Sequence, residues 1–131
     1  MGNVYEVTKA FIDQNYALWD DQSRRPELKA FYASDSTLSF ESAITSFSGG
    51  DAIYTGVFNL IPQSTKHEIA SVDIQGMTLD DVVVLVTGRV FVGGGPDPLY
   101  FSELFQLKTA DSGDAGSLYI LRDIIRVTKL Q

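Results

Sequence analysis

The sequence predicts an α+β domain: a curved, mostly antiparallel sheet with helices on its concave face and a cavity between the two layers. Three observations predict it. An amphipathic helical stretch opens the chain, and two shorter helical patterns follow before Pro62. Four strand-like segments then run consecutively from Lys66. The two most apolar of these, Val82 to Val92 and Tyr100 to Leu107, are joined by a Gly/Pro-rich turn and are apolar on both faces. Each face therefore needs a cover: helices on one side, and on the other a second sheet supplied by another subunit.

The elements follow in order. From Asn3 to Asp20, Val4, Val7, Phe11 and Leu18 form one helical stripe, and Tyr5, Ile12, Tyr16 and Trp19 an adjacent one, with Glu6, Asp13 and Asp20 facing away. Pro26 suits the first position of a second helix, which carries Leu28, Phe31 and Tyr32. Ser36 to Glu41 alternates as a strand, with Thr45 to Ser48 as its hairpin partner. Gly49-Gly50-Asp51 opens a third helix, Ala52 to Leu60, which Pro62 ends. Lys66 to Gln75 reads as a strand with Ala70, Val72 and Ile74 on one face. In the central hairpin Val82, Val84, Val86, Val90 and Val92 share a face, as do Phe101, Glu103, Phe105 and Leu107. A polar turn, Ala110 to Gly116, leads to the last strand, Leu118 to Val127.

At 131 residues without repeat or linker, the chain reads as one domain, 1–131. A net charge of −7 argues against nucleic acid or an anionic membrane as partner and suits a basic protein partner or simple solubility. With no cysteine, a disulfide scaffold, a thiolate nucleophile and a Cys-ligated metal are excluded. MGNVYEVTKA lacks the basic start and apolar run of a secretory signal, and Glu6 stands where N-myristoylation wants Ser or Thr, so neither is expected.

His67 is the single histidine, and no motif pairs it with a nucleophile, so it reads as structural or superficial. No metal-ligand spacing appears, and neither metal nor cofactor is expected. Asp73, Glu103 and Asp123 lie inside strands, where charge is unusual. They pair with Arg89, Arg122 or Arg126 on a wet face, or serve as acids and bases in the cavity. The alternation leaves both readings open, and no catalytic residue is assigned. VGGGPDP joins two strands without a following helix or a Lys-Ser/Thr, so it is a hairpin turn and not a phosphate loop. Trp19 reads as core, and Arg24 and Arg25 as a solvated loop. Glu41 closes its strand after Phe40 at the cavity mouth, and Asp97 sits on a loop tip.

In their order, FIDQNYALWDD, FYASDSTLSFES, FSGGDAI, KHEIASVDIQ, VVVLVTGRV and YFSELFQL resemble the nuclear transport factor 2 family over nearly the whole chain. The most specific pieces are Phe40-Glu41, the strand bearing His67, Ile69, Asp73 and Gln75, and Phe105-x-Leu107. The resemblance implies a cone-shaped fold that wraps its sheet around a long N-terminal helix and dimerises through that sheet, without catalysis. It also implies binding of the small GTPase Ran in its GDP form and of nucleoporin Phe-x-Phe-Gly repeats, in cytoplasm and nucleus and concentrated at the nuclear envelope. Carried over, Glu41 and Asp97 are the acids facing Ran's basic side chains, and Phe40, Val90, Val92, Ile124 and Ile125 line the cavity that takes a Ran aromatic ring. Phe40 stands where the family usually has Trp, and Gly93-Gly94-Gly95 replaces a second loop acid. Val4, beside Tyr5, occupies the position of the Trp that helps bind nucleoporin repeats. Relatives on this fold serve as the small subunit of heterodimeric mRNA-export receptors, and small-molecule isomerases or dehydratases share the cone. Glu41 favours the transport factor, and a cavity holding an Asp beside His67 or a Tyr would favour the enzyme.

Overall fold

The computed structural model describes residues 3–41, 46–60, 63–110 and 118–129. Helix α1, Val4–Asp20, starts where the Asn3 side chain accepts the Glu6 N–H at 2.7 Å, satisfying one of the free amides of the first turn. Lys9 and Asp13 pair across one turn of its wet face. Thr8, Ile12, Asn15, Tyr16, Leu18 and Trp19 are buried, whereas Tyr5 is 55% exposed. Asp20 turns inward and does not face away.

The expected second helix is a 3-10 helix, Arg25–Phe31, and not an α-helix. The tighter form gains more length per residue, which suits a seven-residue bridge to a strand that begins at Tyr32. Arg25 is buried and not solvated: its guanidinium donates to the carbonyls of Trp19 and Gln63 and so ties the end of α1 to the start of the next layer. Only Arg24 is exposed, paired with Glu27.

Six strands follow the expected order, all longer than expected except β2: β1 Tyr32–Phe40, β2 Ser46–Ser48, β3 Thr65–Thr78, β4 Asp81–Val92, β5 Leu99–Thr109 and β6 Leu118–Lys129. Between β2 and β3 lie α2, Gly50–Gly56, and a 3-10 turn, Phe58–Leu60, where one continuous helix was expected. The break falls at Val57, whose φ of −122° is not helical. Thr45, Pro62 and residues 111–116 of the polar turn lie outside the described residues.

The sheet runs β2-β1-β6-β5-β4-β3, with β1 parallel to β6 and every other pair antiparallel. It is curved and unclosed, and the helices occupy its concave side. Val82, Val84, Val86 and Val90 point inward together with Phe101, Phe105 and Leu107, the partition that alternation predicts. Gly88 permits the close approach of β3, because a Cβ there would stand 2.3 Å from the Glu68 carbonyl oxygen. On the outer face Leu85, Leu104 and Ile124 lie directly opposite one another across β4, β5 and β6, each between 38% and 40% exposed.

Candidate functional site: a cavity between the first helix and the sheet

At one end of the cone the sheet curls away from α1 and leaves a cavity of about 350 Å³. Its apolar wall is built by alternation: Val90 and Val92 from β4, Leu99 and Phe101 from β5, Ile125 from β6 and Phe40 from the end of β1. Trp19, Glu41, His67 and Glu103 complete it. Of the expected lining residues, Phe40, Glu41, Val90, Val92 and Ile125 come together here. Ile124 does not: adjacent residues of a strand face opposite sides, so with Ile125 inward Ile124 is on the outer face. Asp97 is exposed on the loop between Val92 and Leu99, both wall residues, which sets that loop at the rim. Val4 is half-buried against the core, and its neighbour Tyr5 presents an aromatic ring to solvent.

Glu41 is anchored at the mouth. Its φ of +70° lies in the left-handed region that side chains larger than glycine seldom adopt. The turn is held by the Glu41 N–H donating to the Ile125 carbonyl at 2.9 Å and by Glu41 Oε1 accepting the Val127 N–H at 2.5 Å. Strain sustained in this way belongs to sites where a side chain must be aimed.

Deeper in, Asp20 Oδ1 lies 2.6 Å from His67 Nδ1, while Asp20 Oδ2 accepts the His67 backbone N–H at 2.8 Å. Asp20 also accepts the Thr65 hydroxyl at 2.8 Å. Burial pushes the Asp20 carboxyl up, but the His67 ring, the His67 N–H and the Thr65 hydroxyl outweigh it and hold Asp20 below its ordinary value. His67 is thus neither superficial nor free of a partner, since an aspartate orients its ring on the cavity wall. The signal for this pairing was Asp20 itself, which continues the i, i+4 row of Ile12 and Tyr16.

A second buried network runs behind the wall. Tyr16 donates to Glu103 Oε1 and Tyr32 to Asp123 Oδ2, each at 2.7 Å. Burial, then the neighbouring carboxylate, raises Glu103 well above the usual carboxylate range, and burial likewise raises Asp123. Asp73 is exposed, so of the three strand acids two are interior and one is wet. Among the described residues no group of three or more His, Cys, Asp or Glu could hold a metal ion.

This architecture has known relatives. Residues 7–127 match the nuclear transport factor 2 (NTF2) domain model. Nuclear transport factor 2 of Oryza sativa subsp. japonica is 33% identical over 122 residues, covering 92% of this chain and 93% of its own. The structure of nuclear transport factor 2 from Cryptosporidium parvum superposes with a TM-score of 0.80 at 30% identity, covering 94% of this chain and 93% of its own. The yeast UBP3-associated protein BRE5, at 22% identity and a TM-score of 0.78, covering 99% of this chain and 100% of its own, shares the fold. With the family model spanning nearly all of it and the cone shared with a relative at 30% identity, this chain belongs to the nuclear transport factor 2 domain family.

Proposed function

We propose that this chain is a non-enzymatic transport factor that binds Ran in its GDP form and mediates its entry into the nucleus. The observation that carries the reading is the anchored Glu41 carboxylate at the mouth of an apolar cavity. A partner's aromatic ring would enter between Phe40 and Val90, and a lysine of the partner would meet Glu41, with Asp97 on the rim loop as a second acid. A net charge of −7 would speed the encounter with a basic partner. The Leu85–Leu104–Ile124 row would be covered by a second copy, giving a homodimer. Nucleoporin Phe-x-Phe-Gly repeats would use Tyr5, with Val4 beneath it, and the protein would distribute between cytoplasm and nucleus with enrichment at the nuclear envelope. Pull-down with Ran loaded with GDP or GTP tests this: capture of the GDP form alone is expected. Capture of neither would move the assignment to the export-receptor subunit.

One observation favours a second reading. Asp20 against His67 in a cavity is an acid–base arrangement, as in a small-molecule isomerase or dehydratase. Proton exchange or elimination in a bound ligand, lost in His67→Gln, would distinguish it.

A further inference from the structure

The His67 side chain is 4% exposed and forms part of the cavity wall, yet only one of its ring nitrogens is engaged. Because Asp20 is held as a carboxylate, the short contact requires a proton on Nδ1, and in the neutral ring Nε2 then presents a lone pair. Nε2 has no hydrogen-bond partner among the described residues. The Trp19 ring lies 4.8 Å away, and its indole N–H is buried without a partner. One unpaired acceptor thus sits on a largely apolar wall, whose other polar side chains are Glu41, Gln63, Thr65 and Glu103. Buried polar groups left in this condition are exceptions that call for an occupant.

We propose that the cavity is a binding site for a small uncharged hydroxylated aromatic, a molecule of the phenol class. Its hydroxyl donates to His67 Nε2, while its ring packs on Phe40, Phe101 and Val90. A neutral hydroxyl supplies the donor that this acceptor lacks. A cavity of about 150 Å³ already holds benzene, so the roughly twofold larger space here accommodates a substituted ring. An anion would meet the Glu41 carboxylate at the mouth and no lysine or arginine among the lining residues. The inference does not rest on the transport reading, although a phenol would compete there with a partner's aromatic side chain.

The purified full chain is titrated calorimetrically with 4-propylphenol and, separately, with propylbenzene, and Trp19 emission is followed as the chain's single indole signal. Saturable one-to-one binding of the phenol is expected, about tenfold tighter than the hydrocarbon for one buried hydrogen bond. His67→Phe should keep the hydrocarbon affinity and lose the advantage of the hydroxyl. A measurement that needs no variant uses the single histidine: the ¹⁵N shift of Nε2 should move with 4-propylphenol and stay still with propylbenzene. Absence of saturable phenol binding, equal affinity for the two probes, or an unmoved Nε2 resonance would each overturn the proposal.

Discussion

Glu103 and Asp123 lie diagonally across β5 and β6, both 1% exposed, each capped by the hydroxyl of a different tyrosine. Glu103 pairs in register with Ile125, and Asp123, two residues earlier, projects from the same face within reach of a long side chain. The oxygens that the tyrosines leave over, Glu103 Oε2 and Asp123 Oδ1, have no other partner. Burial raises both groups, and the neighbouring Asp123 carboxylate raises Glu103 further, so the protonated form is favoured at this pair. The two tyrosine bonds staple α1 to β5 and the start of β1 to β6.

This sets the direction of stability with pH. Both folded carboxyls titrate above their unfolded values, Asp123 at about 6, so the folded chain binds more protons than the unfolded one. Their contribution is complete below the ordinary carboxylate range, near about 4, and is lost as pH rises through the folded values. Asp20 works oppositely, since its lowered value contributes stability that disappears as pH falls below that range. Thermal unfolding should show a higher Tm near pH 5.5 than near pH 8. Glu103→Gln keeps the bond from Tyr16, removes a titrating carboxyl from beside Asp123, and should flatten that slope and raise Tm at pH 8 by a few degrees, on the order of 1–2 kcal/mol. A Tm that climbs from pH 5.5 to 8 in the unmodified chain would refute the upward shift of the two carboxyls.

Asp20 accepts from both the backbone and ring of His67 and from Thr65, and thereby clamps the end of α1 to the first turn of β3. Asp20→Ala leaves these groups without their acceptor and should cost about 2–4 kcal/mol, several degrees or more in Tm. Asp13→Ala, on the exposed face of the same helix, should change Tm by no more than a degree or two. Equal effects of the two substitutions would show that the Asp20 clamp contributes nothing.

The anchoring of Glu41 separates its charge from its structural bond. Glu41→Gln can still accept the Val127 N–H, so its loss of Ran-GDP affinity would report charge alone, about tenfold. Glu41→Lys removes both and places like charges at the mouth, for a loss of roughly thirtyfold or more. Asp97→Lys should cost less and act mainly on association rate, because rim charges steer encounter. Unchanged affinity in Glu41→Lys, with an unchanged circular dichroism spectrum, would remove Ran from this site.

The outer row is tested by Leu104→Glu. Leu104 is flanked in register by Leu85 and Ile124, so a glutamate there sits at the centre of the apolar row, and in a homodimer it enters the interface from both copies. Sedimentation should show association weakened by about a hundredfold or more while the fold persists. A monomeric unmodified chain at micromolar concentration would exclude the homodimer.

Tyr5 is the exposed aromatic at the start of α1, over a half-buried Val4. Tyr5→Ala should weaken binding of a Phe-x-Phe-Gly peptide by about five- to tenfold, since an aromatic anchor supplies much of the energy in a shallow site. A peptide affinity that does not change places the repeat site elsewhere on the chain.

Period-2 alternation was enough to assign the inner and outer faces of β4 and β5, because a half-buried strand must sort its side chains by solvent. For the same reason Ile124 and Ile125 could not both line one cavity, an error that came from position within a resemblance and not from the strand's own pattern. Helical periodicity located α1 but misplaced Asp20, since a charged residue continuing an apolar row reads as solvated until something is known to stand opposite it. What stands opposite is His67, at the start of β3, and no local pattern links the two. Glu103 and Asp123 show the same limit: strand position put them on one of two faces, and only the approach of Tyr16 and Tyr32 made the inner face tolerable for a carboxyl. Alternation, capping residues and turn glycines act within a few neighbours along the chain, and they determined the elements and their order. The Asp20–His67 clamp, the tyrosine-capped carboxyls Glu103 and Asp123 and the strained Glu41 turn were decided by contacts between residues 47 to 91 apart, where burial makes each polar group's partner the controlling energy.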